Sequence, residues 1–196
     1  ASGFRRLPLC WWENARQQED SAIAKKAKRG VGRRILRVLG LLVLFLLLAP
    51  PVILLAYRFV PPPVTPLMLI RLTEGYGIDK DWTSIGRISS NLQRAVLASE
   101  DAKFCIHDGF DWEALEENVG KLQRGKRSRG GSTITMQTAK NLFLWPARSY
   151  IRKGVEAYLT VWLEFLLPKE RILELYLNIA EWGKGIYGAE AASRHY

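Results

Sequence analysis

The chain has 196 residues and a formal net charge of +10 at pH 7, from 29 lysine or arginine and 19 aspartate or glutamate residues. Such a basic chain suggests nucleic-acid binding. However, residues 1–37 hold ten of the basic and three of the acidic residues, so this segment supplies seven of the ten net charges. Because most of the positive charge lies in this one segment, we expect no nucleic-acid partner.

Two cysteines exclude a disulfide framework, and their surroundings show no metal-ligand spacing.

An uncharged run over 38–57 predicts one transmembrane helix, which we place at 38–58. Twenty helical residues rise about 30 Å, the hydrocarbon thickness of a bilayer, and membrane helices tolerate kinks such as Pro50 and Pro51 would cause. A secretion signal would be shorter, and a buried core helix would be less uniformly rich in leucine. The positive residues of 1–37 predict a basic cytoplasmic tail beside anionic lipid, with the rest of the chain outside the cytoplasm.

Beyond the span, prolines in 59–66 predict a stiff, extended linker that lifts the following domain off the membrane. One domain then fills 67–196. Apolar spacing and capping residues predict its helices, with Asp111 as an N-cap, Pro168 at a helix start and no convincing strands. The helices are placed at 91–101, 111–119, 133–142, 151–167 and 169–180. Residues 121–131 predict a basic, glycine-rich loop, and Cys105 is expected to pack as a small buried hydrophobe, separated by the bilayer from Cys10.

An acidic pair, Glu100 and Asp101, ends the first of these helices. Neighbouring helical residues point about 100° apart, so only one carboxylate can aim into a small site. A partly buried carboxylate beside Phe104, with His107 and Asp108 nearby, could serve as a general base toward a sugar hydroxyl. The same pattern is typical of a helix cap with a salt bridge, so the residues alone leave both interpretations open.

A second polar group lies further along the chain and comprises Lys140, Arg148, Arg152 and Glu156. Its last three members are four residues apart and would share one face if their helix extended back to 148. Guanidinium groups bind phosphate oxygens in bidentate fashion, so the group could be a phosphate cradle. It could equally be a surface ion-pair ladder that adds little stability. The start of the third predicted helix, where anions are favoured, adds donors from Ser132, Thr133 and Thr135.

Four ordered motifs resemble those of the peptidoglycan glycosyltransferases, glycosyltransferase family 51. They are Glu100-Asp101-x-x-Phe104-x-x-His107-x-Gly109-Phe110-Asp111, Gly131-Ser132-Thr133-Ile134-Thr135-x-Gln137, Arg152-Lys153-x-x-Glu156, and Lys169-Glu170-Arg171-Ile172-Leu173-Glu174-Leu175-Tyr176-Leu177-Asn178. The resemblance covers 94–196, and the ending at 181–192 is more similar to the monofunctional branch than to the bifunctional penicillin-binding proteins. Many relatives have two glutamines where this chain has Met136-Gln137. They also continue past Tyr196, so we expect the chain to be a fragment.

The resemblance implies a mainly α, lysozyme-like glycosyltransferase domain preceded by a single transmembrane helix. It implies polymerisation of lipid II by β-1,4 transfer, with inversion and release of polyprenyl diphosphate. Glu100 would take the proton of the acceptor's 4-hydroxyl, and Asp101 would organise its surroundings. Glu156 would orient the basic residues or hold a divalent cation, Mg or Mn; no organic cofactor is implied. The donor side would be formed by Ser132 and Gln137, with the leaving diphosphate stabilised by Lys140, Arg148 and Arg152.

The implied location is the bacterial inner (cytoplasmic) membrane, with a single pass and a periplasmic catalytic domain. The implied partners are lipid II, the growing glycan strand, membrane lipid, and other proteins of cell-wall synthesis and division. A membrane-anchored muramidase would share the fold and the acid, but hydrolysis needs no diphosphate cradle. A non-catalytic scaffold would keep the span and the tail without the chemistry.

Overall fold

The computed structural model describes the backbone over 9–125, 130–147 and 149–196, and within these ranges the side chains of 16–17 and of 33 onward except 122. The chain divides into two compact units, Ala1–Leu48 and Ala49–Tyr196. Helix α1, Leu9–Tyr57, includes both Pro50 and Pro51. Its stretch Arg33–Tyr57 is long and apolar enough to cross a membrane, with a mean hydropathy of 2.9. Most of its large apolar side chains are exposed, which is compatible with a membrane anchor.

The second unit is mainly helical, and all five helices predicted for the domain are present, with ends that differ by at most four residues from the prediction. Its helices are α2 (Pro66–Thr73), α3 (Ser90–Glu100), α4 (Trp112–Gln123), α5 (Ile134–Phe143), α6 (Tyr150–Leu166), α7 (Lys169–Ile179) and α8 (Ala189–His195), with a 3-10 turn at Ile85–Arg87. The predicted N-cap is confirmed, since the Asp111 carboxylate accepts the Ala114 N–H at 3.0 Å. The hydroxyls of Thr133 and Ser149 N-cap α5 and α6 in the same way, each by accepting a backbone N–H of the first turn.

The core of this unit forms where α5 packs against both α6 and α7. Helix α5 is buried over most of its surface, and α6 and α7 each turn an apolar side toward the same core. Fully buried members include Ile134, Leu159, Leu163, Ile172 and Leu175. Burying each such side chain stabilises the fold by about 1.5–3 kcal/mol. The packing fixes α5 in the middle of the domain, and α5 carries two of the predicted site residues.

The mainly α prediction is confirmed, and the structure adds three short strands that the sequence did not indicate. Strands β1 (Asp79–Lys80), β2 (Glu181–Gly183) and β3 (Ile186–Tyr187) form a small sheet in the order β1-β3-β2. β1 pairs with β3 in parallel and β2 pairs with β3 antiparallel. Strands of two or three residues are too short to show the alternation from which strands are recognised.

Backbone carbonyls of the proline-rich segment accept hydrogen bonds from the domain, and the role of the segment as a stiff, extended linker stays a prediction. The Arg171 guanidinium donates to the carbonyls of Tyr57 at 2.8 Å and Val60 at 3.0 Å. Lys80 donates to the carbonyls of Pro62 and Pro63. Cations at carbonyls that end a helix are favoured by the helix dipole. The boundaries at 38, 59 and 67 stay predictions.

Two further expectations need correction. Cys105 is an exposed free thiol, because Phe104 takes the core position while Cys105 and Ile106 turn outward. The basic loop predicted at 121–131 begins later, since α4 continues to Gln123. Positions 126–129 of that loop lie outside the described residues.

Candidate functional site

Glu100 is the last residue of α3 and is exposed. It lines an open cavity of about 180 Å³ together with Asp101, Ser132 and Thr133, here called the Glu100 cavity. The Gln137 amide of α5 donates to the Glu100 carboxylate at 2.9 Å. The expected partial burial beside Phe104 is wrong, because Phe104 faces the core. The carboxylate is instead fixed by one amide and open to a ligand.

Asp101 lies behind Glu100 and is only 8% exposed. Its carboxylate accepts the backbone N–H of Ile134 and the Nε2–H of His107, each at 2.9 Å. The Gly109 N–H donates to Nδ1 of the same imidazole at 3.1 Å, which assigns the neutral ring with its proton on Nε2. Asp101 therefore ties the end of α3 to the start of α5, and its organising role toward Glu100 stays a prediction.

Lys140 follows Gln137 by one helical turn, and both line a second cavity of about 300 Å³, here called the Lys140 cavity. Burial lowers the pKa of Lys140, and the cations of Arg152 and Lys153 act in the same direction. The charges of Glu156 and Glu100 oppose this lowering, so both carboxylates act on one ammonium. Among the described residues, the Lys140 ammonium has no hydrogen-bond or ion-pair partner, so it is available to an anion.

Glu156 forms a buried cluster with two cations of its own helix, here called the Glu156 cluster. Its oxygens accept from Arg152 Nη1 and from Lys153 Nζ, both at 2.5 Å. Lys153 also donates to the Ser132 hydroxyl at 3.0 Å, which joins the cluster to the Glu100 cavity. The side chains of Glu156 and Arg152 are 3% and 12% exposed, so the surface-ladder interpretation is wrong.

A shared face for the residues from 148 to 156 required a helix that extends back to 148, whereas α6 begins two residues later. Helix α6 begins at Tyr150 after its N-cap Ser149, and the Arg152 guanidinium also donates to the Ala147 carbonyl at 2.6 Å. Arg148 lies outside the described residues, and its contact with the diphosphate stays a prediction.

The side chains around Glu156 do not by themselves form a divalent-cation site, and the cation expected at the diphosphate stays a prediction. Both carboxylate oxygens already accept hydrogen bonds from cations. Over the ranges that the structure describes, no group of three or more His, Cys, Asp or Glu residues could hold a metal ion. A hard cation requires several oxygen ligands. No step of the reaction is therefore assigned to a metal at this position.

Sequence reasoning missed several residues of the site. The contact of Lys153 with Glu156 could have been predicted, because the two residues lie three positions apart on one helix. Tyr176, whose pKa burial raises to about 12 with a smaller contribution from Glu100, lines the Lys140 cavity as a neutral phenol. Trp145, Arg71 and Glu181 line it from distant parts of the chain. No local pattern could have indicated these three residues.

Comparison with known proteins agrees with this geometry. The family model described as transglycosylase matches residues 69–196. A biosynthetic peptidoglycan transglycosylase of Caulobacter vibrioides is 54% identical over 165 residues, covering 84% of this chain and 72% of the relative. Proteins with the same name from Rhodospirillum centenum and Bdellovibrio bacteriovorus are each 52% identical, over 84% and 72% of this chain and 70% and 59% of theirs. The resemblance is confirmed, and the chain belongs to the transglycosylase family, as a glycosyltransferase of the biosynthetic peptidoglycan type.

Proposed function

We propose that this peptidoglycan transglycosylase polymerises lipid II into glycan strands by β-1,4 transfer, with inversion and release of polyprenyl diphosphate. One observation carries the proposal: an exposed carboxylate, Glu100, borders one cavity and binds Gln137 of the next. Lys140 lines that second cavity and has no hydrogen-bond or ion-pair partner among the described residues. A base beside a ready anion site is what transfer from a diphosphate donor requires.

In the proposed reaction Glu100 takes the proton of the acceptor's 4-hydroxyl, and the oxygen attacks the anomeric carbon of the donor sugar. The bond to the diphosphate oxygen breaks as the new glycosidic bond forms, so the centre inverts without a covalent sugar-enzyme intermediate. Gln137 keeps the carboxylate in place through its 2.9 Å hydrogen bond. Asp101 holds the α3 end against α5, so base and donor site move as one body.

The leaving diphosphate is proposed to bind at Lys140, with help from Arg152 and Arg148. The Glu156 cluster has two cations against one carboxylate, so a positive charge remains for the donor. Glu156 then has a positioning role, since it holds both cations, of which Lys153 also contacts Ser132. Positive groups fixed where negative charge develops stabilise the transition state without rearrangement. On this proposal Ser132 and Gln137 contact the donor side.

The proposal places the protein in the bacterial inner membrane as a single-pass protein with its N-terminus in the cytoplasm and its catalytic domain in the periplasm. The apolar stretch Arg33–Tyr57 and the basic residues of 1–37 support this orientation. Lipid II and the growing strand then reach the domain from the outer leaflet. Other proteins of wall synthesis and division are proposed as partners.

Incubating the protein in detergent with lipid II, and separately with finished cell wall, tests the proposal. Polymer from lipid II and no soluble fragments from cell wall are the expected results. Release of muropeptides from cell wall without polymer would identify a muramidase. Binding of lipid II with neither product would favour a scaffold, and either result would refute the proposed reaction.

A further inference from the structure

An ion pair joins the end of α6 to the start of α7 behind the turn that follows Glu100. Lys169 Nζ lies 2.8 Å from Glu164 Oε1, and the side chains are 28% and 11% exposed. Neither residue lines the Glu100 cavity or the Lys140 cavity. We propose that Glu164 and Lys169 are positioning residues that set the place of Glu100 for transfer, an inference that rests on the proposed function.

Lys169 holds the turn through two contacts. Its ammonium donates to the His107 carbonyl at 2.6 Å. It also lies 4.6 Å from the centre of the Phe104 ring, within the range of a cation–π interaction. Phe104 and His107 both belong to the turn directly after Glu100, and His107 in turn donates to Asp101. A change at Lys169 is therefore transmitted to the residue next to the base.

Glu164 connects the same turn to α5. Its Oε1 accepts the Thr135 hydroxyl at 2.5 Å, and Thr135 lies two residues before Gln137. The turn also packs closely against Glu164 at Gly109, where an added Cβ would lie only 2.8 Å from Glu164 Cγ. Gly109 has a φ of +84°, which favours glycine, so the chain can approach this closely. Glu164 thus contacts the turn and α5 at once.

These contacts fix the distance between Glu100 and the two α5 residues Gln137 and Lys140, on which the proposed reaction depends. Glu100 ends α3 directly before the turn, while Gln137 and Lys140 lie on α5, and the Glu164–Lys169 pair contacts both the turn and α5. Loss of the pair lets the turn shift relative to α5, and a misplacement of about 1 Å can reduce a rate about 100-fold. A purely structural pair would instead lower stability and leave the rate constant of folded protein unchanged.

Glu164→Gln tests the inference, because glutamine keeps the shape and removes the charge that holds Lys169. Glu174→Gln is the matched control: Glu174 pairs with Arg171 on α7 at 3.0 Å, with both side chains 12% exposed, and it lines neither cavity. Measured on lipid II, Glu164→Gln should lower kcat by about tenfold to 100-fold with KM within about twofold. Glu174→Gln should keep the wild-type kcat and KM, although loss of its ion pair should lower its melting temperature.

Two substitutions at Lys169 extend the test without changing Glu164. Lys169→Met removes the donor to His107, whereas Lys169→Arg keeps a cation there and should recover part of the kcat lost in Lys169→Met. If wild type forms no polymer, the proposed function fails. If wild type is active, the positioning inference is overturned by a normal kcat in Glu164→Gln, by an equal loss in Glu174→Gln, or by equal kcat values in the two Lys169 variants.

Discussion

The Glu156→Gln substitution probes a buried ion pair of the site. The side chain of Glu156 is 3% exposed and that of Arg152 is 12% exposed, whereas Lys153 is 40% exposed and can turn to water. Breaking a buried ion pair costs about 3–5 kcal/mol. Glutamine still accepts one hydrogen bond, which returns about 1 kcal/mol. We therefore expect the free energy of unfolding to fall by about 2–4 kcal/mol, set mainly by Arg152.

Urea unfolding in detergent, followed by tryptophan fluorescence, measures this loss. Glu117→Gln is a suitable control, since Glu117 pairs with Lys121 at the same i,i+4 spacing while 67% exposed. Its loss should be far smaller, because a solvent-exposed ion pair contributes little to stability. The charge of Glu156 also raises the pKa of Lys140, so the substitution should lower that pKa further. Equal losses in the two variants would refute the account of Glu156 as a buried anchor.

Two further predictions concern Lys140 and Gly109. The pKa of Lys140 is lowered, so binding of lipid II, measured from about pH 7 to 11, should weaken as the ammonium loses its proton, and Lys140→Arg should move this loss to higher pH. Between the lowered pKa of the folded state and the ordinary lysine pKa of 10.5, only the unfolded state holds this proton. The free energy of unfolding should therefore rise with pH in that range, and Lys140→Met should lack this rise in urea unfolding. Gly109→Ala and Gly75→Ala share a positive φ, but only at Gly109 would the Cβ meet Glu164 and Thr160 at 2.8 Å. Urea unfolding should therefore show the larger loss for Gly109→Ala, and equal losses would contradict the close packing of the turn.

The helices were predictable because their signals are local. Asp111 caps α4 three residues before its hydrogen-bond donor, and the apolar spacing of 169–180 lies within one helix. The Glu156 cluster was partly predictable for the same reason, since Arg152 and Lys153 lie within four residues of Glu156. Its burial was not predictable, because it depends on how α6 packs in the domain.

The hydrogen bonds that join the acidic pair to α5 connect residues far apart in the sequence, so they depend on the fold. Asp101 binds an N–H 33 positions away, and Glu100 binds an amide 37 positions away. No periodicity reports pairings of that length. The hydrogen bond from Arg171 to the Tyr57 carbonyl spans 114 positions, so no local pattern could have indicated it.

The role of Glu100 as the base is tested most directly by Glu100→Gln, with polymerisation and binding of lipid II measured on the same protein. General-base catalysis contributes about 10²–10⁴-fold, so the rate should fall by at least about 100-fold while binding stays within about threefold of wild type. The exposed Glu116→Gln on α4 should leave both values unchanged. A Glu100→Gln rate within about threefold of wild type would show that another group takes the acceptor's proton.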